Sequence, residues 1–373
     1  MTPDLLALRT PALVLDRRLL EANLARMAAR ARALGVLLRP HLKTAKSAEV
    51  ARLAGAAGAR GITVSTLAEA AYFADHGFRD LLYAVGLAPA KLDDVAALDD
   101  KAGMTILLDS VAAAEAVAAH PAAHRVLVEI DTGDHRCGID PGSPELVAVA
   151  RAVAASGRST VAGVLTHAGH SYDARDAESM ARIAEAERAG AVRAAEVLRA
   201  AGFACPVVSV GSTPTATFAR DLSGATEMRP GVYMLGDLFQ AGIGTCRVED
   251  VAVSVLATVI GHRPAENAVV IDAGALALSK DRSTEAIAGG DLGYGLVCDL
   301  EGRPLPGVTV VRVSQEHGRV SSRGRLPYEA LPIGARVRVL PNHACITAAA
   351  YDVYHVVCGG TAVEAVWDRC RGW

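Results

Sequence analysis

The sequence predicts an α/β chain, a (β/α)8 barrel followed by a smaller β-rich domain. Three observations carry that expectation. The first two-thirds alternates short apolar runs with Ala-rich amphipathic stretches, the alternation counts to eight, and after Cys246 it gives way to strands joined by Gly, Pro and Asn turns. A length of 373 residues exceeds one ordinary core and suits a large barrel with an appendage.

Taken in order, TPALVLD (10–16) reads as a strand that returns to pair with the second domain. Barrel strands are expected at 36–43 (VLLRPHLK), 61–66 (GITVST), 81–86 (LLYAVG), 104–109 (MTILLD), 125–131 (RVLVEID), 160–167 (TVAGVLTH), 206–213 (PVVSVGST) and 226–235 (TEMRPGVYML). Each is short and apolar, as parallel strands covered on both faces must be. Helical stretches such as SAEVARLAGAAG, LAEAAYFADHG and AESMARIAEAERAGAVRAAEVLRAAG lie between them, with Gly77 and Gly202 where C-caps place glycine. No GxGxxG follows the first strand, which argues against a dinucleotide fold. Further on, EDVAVSVLATVIGH, NAVVIDAGALALS, LGYGLVCDL, GVTVVRVSQEHGRV and ARVRVLPNHACIT read as strands without a long helix. The expected boundaries are 17–243 for the barrel and 244–373 for the β-rich domain, with 1–16 pairing into the latter.

Composition narrows the function. A hydrophobic fraction of 51% fills a core, while a net charge of −3 and 4% aromatics give no basis for nucleic-acid or anionic-membrane binding. The N-terminal segment lacks the positive region and apolar stretch of a signal peptide, and no apolar run is long enough to span a bilayer. Seven cysteines without CxxC pairs read as reduced thiols, so a cytoplasmic protein is expected.

Chemistry collects at the C-terminal ends of barrel strands. Those ends carry His41 and Lys43, Ser65 and Thr66, Asp109, Asp131 with TGDHRCG, His167 with AGHSY, Gly211-Ser212-Thr213, and Tyr233. Strands also stop where water begins, and Lys43 alone is compatible with a snorkelling strand-end residue. It is, however, one of only five lysines in a chain whose other cations are arginines. Small residues in GST after the seventh strand let backbone N–H groups approach an anion, the phosphate cup of such barrels. A first-strand lysine together with that cup points to pyridoxal phosphate (PLP), its aldehyde on Lys43. In His343-Ala344-Cys345, positions i and i+2 share one face of an extended segment, so an imidazole and a thiolate can grip one ion.

These strings, in this order, resemble the fold-type III PLP enzymes: RPHLKTAKS, GITVSTLAEA, EIDTGDHRCG, VLTHAGHSY, VVSVGSTPTA, RPGVYMLGD, IDAGALALS, QEHG and PNHACIT. Within them they are similar to the D-serine dehydratase and D-threonine aldolase branch, which joins an alanine-racemase-like barrel to a C-terminal β domain. The likeness is nearest to bacterial D-threo-3-hydroxyaspartate dehydratases and covers nearly the whole chain.

The resemblance implies that Lys43 carries the cofactor, that Gly211, Ser212 and Thr213 bind its phosphate, and that Tyr233 packs nearby. His41, Arg136, His167 and Tyr172 then line the cofactor pocket, with Lys43, His167 and Tyr172 in catalysis. His343 and Cys345 hold a divalent metal; thiolate favours Zn2+, where a carboxylate would suit Mn2+. His317 of QEHG is a candidate supporting residue.

The implied activity is a PLP- and metal-dependent lyase of D-3-hydroxy amino acids, a dehydratase yielding a 2-oxo acid and ammonia. Three alternatives stand beside it. One is a D-threonine aldolase with His167 or His170 as base. Another is a racemase with Tyr294 or Tyr351 as second base. The third is a non-catalytic PLP carrier, a type that lacks the second domain. The resemblance also implies a homodimer. The other cysteines, Cys137, Cys205, Cys246, Cys298, Cys358 and Cys370, read as small buried hydrophobes.

Overall fold

A computed structural model describes residues 4–373. It divides into two compact units. One is Ala25–Gly231 with Cys370–Trp373; the other is the chain up to Leu24 with Val232–Arg369.

Strand β1 (Ala12–Asp16) belongs to the second unit. The first unit holds eight parallel strands: β2 (Leu37–Leu38), β3 (Ile62–Val64), β4 (Leu81–Gly86), β5 (Met104–Leu108), β6 (Arg125–Ile130), β7 (Thr160–Thr166), β8 (Val207–Val210) and β9 (Glu227–Met228). The sheet runs β2-β9-β8-β7-β6-β5-β4-β3. A parallel bridge from His41 to Thr63, with Leu42 N donating to Thr63 O at 2.8 Å, joins its two ends and closes the barrel. Adjacent strands share a buried cluster of Leu82, Leu107, Leu127, Ala162 and Leu165.

Most of the expected barrel strands are shorter than their apolar runs, and three lose half or more of their length, mostly on the side that carries site residues. The first is regular only over Leu37–Leu38, although Arg39 N and His41 N still donate to Met228 O and Pro230 O; Pro40 has no N–H to offer its other neighbour. Residues 42–45 turn instead, closed by Lys46 N on Leu42 O at 2.7 Å, so Lys43 sits in a turn beyond the strand. The seventh ends at Val210, where Gly211 enters positive φ (109°) and the helix Thr213–Phe218 begins. A Cβ at Gly211 would also come within 3.2 Å of Arg229 N. The eighth ends at Met228 ahead of Pro230, and Tyr233 lies in a single 3-10 turn, Val232–Met234, rather than on a strand.

The second unit is a nine-stranded sheet. It adds β10 (Val253–Arg263), β11 (Ala268–Ile271), β12 (Leu296–Cys298), β13 (Pro304–Val313), β14 (Gly318–Ser322), β15 (Arg336–Leu340), β16 (Val353–Val357) and β17 (Ala365–Asp368). The order is β11-β14-β13-β12-β15-β10-β1-β16-β17, and a further β10–β11 pairing curls six strands into a ring. Strand β1 runs antiparallel to β10 (Ala12 opposite Leu256) and parallel to β16 (Val14 opposite His355). All five of its residues are buried, and Ala12 and Val14 pack with Leu5, Leu256, Val357 and Val363. Residues Val232–Arg369 belong here, and within the unit Leu238 N and Phe239 N donate to Pro341 O and Asn342 O.

Candidate active site

The Lys43 turn brings an exposed amine to a group of imidazoles and guanidiniums. Among the described residues no hydrogen bond or ion pair engages Lys43 Nζ, whereas Lys46 pairs with Glu69 at 3.2 Å. Burial, followed by the charges of Lys43 and Arg229, pushes His41 well below the ordinary imidazole range. Burial, Lys43, Arg136 and Arg229 push His167 down to about 3. Opposing that, His167 makes a hydrogen bond to the Gly211 main chain. Both imidazoles are therefore neutral at pH 7, and the amine, the two rings and the GST loop belong to one neighbourhood.

The loop after β6 is held by carboxylates. Asp131 accepts Gly133 N at 2.8 Å, His135 N at 3.1 Å and His135 Nδ1 at 2.7 Å, and Asp109 accepts Gly138 N at 2.9 Å. Asp109 and Asp131 are thus loop supports, and His135 is an exposed partner of Asp131. The loop carries Arg136, whose guanidinium stands 3.9 Å from buried Glu129 and 4.0 Å from Asp134. Thr132 and Thr166 hydroxyls at 2.8 Å tie this loop to the next. There, His170 Nδ1 is 4.0 Å from Asp134, and Tyr172 lies in the 3-10 segment Gly169–Asp173. Thr66 caps the helix Leu67–Asp75 through Glu69 N, a structural role.

At the GST loop the expectation of free backbone donors is corrected. Gly211 N donates to Glu187 at 3.1 Å and Ser212 N to Thr215 Oγ1 at 2.9 Å, so both are committed. What faces no partner is the Thr213 hydroxyl oxygen, buried and without a hydrogen bond. A buried hydroxyl so left is costly unless a ligand satisfies it, which fits a phosphate. Tyr233, in the second unit, likewise has a buried hydroxyl without a partner, and burial pushes its pKa up.

Two buried charged residues beside the site, Arg229 and Glu187, escaped sequence reading. Arg229 is buried and donates to Ser209 Oγ at 2.6 Å and Thr166 O at 2.5 Å; desolvation lowers it to about 10. Ser209 in turn donates to Glu227, which takes Arg39 Nε at 2.8 Å. Glu187 lies on the buried stripe of the helix Ala177–Ala200. A charged residue at a position the 3.6 period reserves for the core was the available signal. Asp109, Glu129 and Cys137 also bring ligand atoms within 4.8 Å of one another, but Asp109 and Glu129 already face Gly138 and Arg136.

In the second unit His343 caps the short helix Ala344–Ala348, so the HxC pair starts a helix instead of lying on an extended strand. An extended cap (φ −135°) followed by helical residues still brings the two side chains into hydrogen-bond reach. Asp281 Oδ2 lies 3.2 Å from His343 Nδ1. The His343 bond, against burial, holds Asp281 down to about 2. An ionised carboxylate only accepts, so Nδ1 carries a proton, and Nε2 is the nitrogen that could offer a lone pair to a metal once its own proton is displaced. Burial opposes charge on His343, but Asp281 and Cys345 outweigh it and raise the ring to about 10. Asp237, pushed up to about 6 by burial, accepts Ala344 N at 3.0 Å and orients the helix start. An imidazole bonded to a thiol, with a carboxylate behind the ring, is a donor set suited to a borderline divalent ion that takes the place of the proton between them.

His317 is exposed in its turn, and Asp281, not His317, touches His343. Tyr351 OH donates to Ala277 O at 3.0 Å, and burial raises its pKa. The Tyr294 ring lies against the Arg282 guanidinium at 5.5 Å. None of the seven cysteines forms a disulfide among the described residues, and Cys137 and Cys358 are exposed and Cys246 half-buried, not buried as expected. No described helix is long and apolar enough to cross a membrane.

Residues 15–238 match the alanine racemase N-terminal domain family, and 252–357 match a putative serine dehydratase domain. Over its full length the chain is 48% identical to the whole of a D-threo-3-hydroxyaspartate dehydratase from Delftia sp. (strain HT23). It is 31% identical to a D-threonine aldolase from Arthrobacter sp, covering 98% of this chain and 93% of that one. Two solved mutants of D-threo-3-hydroxyaspartate dehydratase superpose over 100% of this chain (98% and 100% of theirs) with a TM-score of 0.96 and 47% identity. One replaces a histidine, the other a cysteine two positions further on, the latter in a metal-free form.

Proposed function

The chain belongs to the family that joins an alanine racemase N-terminal domain to a serine dehydratase domain, and on that premise we propose a PLP- and divalent-metal-dependent dehydratase. It is an enzyme of the lyase type acting on D-3-hydroxy amino acids. The products proposed are a 2-oxo acid and ammonia. The observation that carries the reading is the Lys43 amine, whose charge bears on His167, a ring bonded in turn to Gly211 of the GST loop. Amine and phosphate cup thus share one neighbourhood, and the partnerless Thr213 hydroxyl fits the phosphate.

PLP, when bound, supplies an electron sink that acidifies the substrate Cα–H. Lys43 Nζ is the base that takes that proton. His167, neutral and donating to Gly211, presents its other nitrogen as an acceptor toward the pocket. His41, Arg136 and Tyr172 would complete the pocket wall, and the GST loop would hold the phosphate end through the Thr213 hydroxyl, the Tyr233 hydroxyl being a further proposed donor. A divalent ion on His343 and Cys345 supplies Lewis acidity toward the β-hydroxyl oxygen. The relative whose cysteine mutant is metal-free supports this assignment, because its two mutated positions have the spacing of His343 and Cys345. A thiolate ligand favours Zn2+ over Mn2+.

Assays with D-serine, D-threonine and D-threo-3-hydroxyaspartate, with and without EDTA, test the reading. Metal-dependent release of ammonia with a 2-oxo acid supports it; glycine and an aldehyde without ammonia would establish the aldolase reading, which the Arthrobacter relative keeps in view. A homodimer is proposed by the same resemblance and is checked by light scattering. A cytoplasmic setting is proposed too, since seven cysteines outside any disulfide suit a reducing compartment.

A further inference from the structure

The helix Ala177–Ala200 turns Met180, Ala184, Glu187, Ala191, Ala194 and Leu198 inward. Only Glu187 among them is charged, and it is 2% exposed. Such burial is tolerated only when the carboxylate oxygens are bonded. Here Oε1 accepts Ala168 N at 2.9 Å and Gly211 N at 3.1 Å, and the Thr215 hydroxyl also bonds the carboxylate.

The position of those donors gives Glu187 its meaning. The β7–β8 ladder ends at Leu165 opposite Ser209, so past that point no sheet bond sets the gap between the two following loops. Ala168 directly follows His167, and Gly211 opens the GST loop. One oxygen bridges them. Thr215 carries the link onward, accepting Ser212 N at 2.9 Å, while Ser212 Oγ meets Ser171 Oγ at 2.8 Å. Arg229 is the cation whose charge bears on the buried carboxylate.

We propose that Glu187 is a positioning residue that sets the gap between the His167 and GST loops and thereby the affinity for the cofactor's phosphate, leaving the aldehyde end untouched. The proposal rests on the PLP reading above. Its test is the affinity of the full-length, cofactor-stripped chain for PLP and for pyridoxal, which lacks the phosphate, followed by absorbance. The parent binds PLP more tightly than pyridoxal. Glu187→Met strips the acceptor from two buried N–H groups and lowers the ratio of the two affinities about tenfold. Glu187→Gln keeps an amide oxygen for both donors and holds the ratio within about threefold. Should Glu187→Met not fold, Thr215→Val, which deletes only the hydroxyl between Glu187 and Ser212, must lower the same ratio. An unchanged ratio in the folded variants, or an equal fall for both aldehydes, overturns the proposal. A parent that binds neither aldehyde overturns the PLP reading itself, and the Glu187 proposal with it.

Discussion

Replacing Asp281 by Asn tests the metal site through the proton on one ring. Ser283 N donates to Asp281 Oδ1 at 2.8 Å, and that bond recruits the Asn oxygen to the same place. The amide NH2 then falls at the Oδ2 position, 3.2 Å from His343 Nδ1. Two donors cannot face each other, so in the neutral ring that metal binding requires the one remaining proton sits on Nε2 and blocks the nitrogen proposed to hold the metal. Loss of a carboxylate behind a ligating histidine costs about 10- to 100-fold in metal affinity, about 1.4–2.8 kcal/mol. The Ser283 bond survives the change and Asn342 Nδ2 still reaches the Asp281 carbonyl, so the local fold is retained. Chelator-competition titration of Zn2+ against parent and Asp281→Asn at one pH measures the effect. A dissociation constant within twofold of the parent's would refute the tautomer argument and the role of Nε2 with it.

Three further outcomes are expected. Lys43→Ala removes the amine that the cofactor needs, so the visible absorbance of bound PLP disappears and turnover falls about a thousandfold or more, with the far-UV spectrum unchanged. Cys345→Ala keeps that absorbance but loses metal, measured by elemental analysis, together with ammonia release; a metal-free variant with full dehydratase activity contradicts the assignment. Stability depends on pH through His167, which burial lowers from 6.5 to about 3. Between those values the unfolded chain binds a proton that the folded chain does not, so its contribution is complete above pH 6.5 and is lost as pH falls, at about 1.4 kcal/mol per unit. In urea unfolding of the cofactor-free chain, His167→Gln should lose about 2 kcal/mol less than the parent between pH 7.5 and pH 5; equal losses count against a buried neutral ring.

The barrel was legible because each strand is an apolar run between Ala-rich amphipathic stretches, and burial on both faces writes itself locally into the chain. Lys43, the GST loop and the HxC pair were legible for a similar reason, since each is a short string of chemically distinctive residues. The β-rich domain showed as a change of rhythm after Cys246, and β1 as the strand-like run TPALVLD ahead of the barrel. Strand ends were less legible: three strands are far shorter than their apolar runs, and only the hydrogen bonds show where each ladder stops.

What the tertiary structure alone decided is which groups already have partners. Gly211 and Ser212 looked like free anion donors, yet their N–H groups are taken by Glu187 and Thr215, leaving the Thr213 hydroxyl as the unsatisfied group. Arg229 reads as one more arginine beside a proline until it is found buried against Ser209 and Thr166. Asp281 precedes His343 by 62 positions, and nothing local marks it as the carboxylate behind that ring. Periodicity reports how far each residue is withdrawn from water, which is a property of its own segment. A hydrogen bond joins two segments, and the partner is chosen only when the chain has closed on itself.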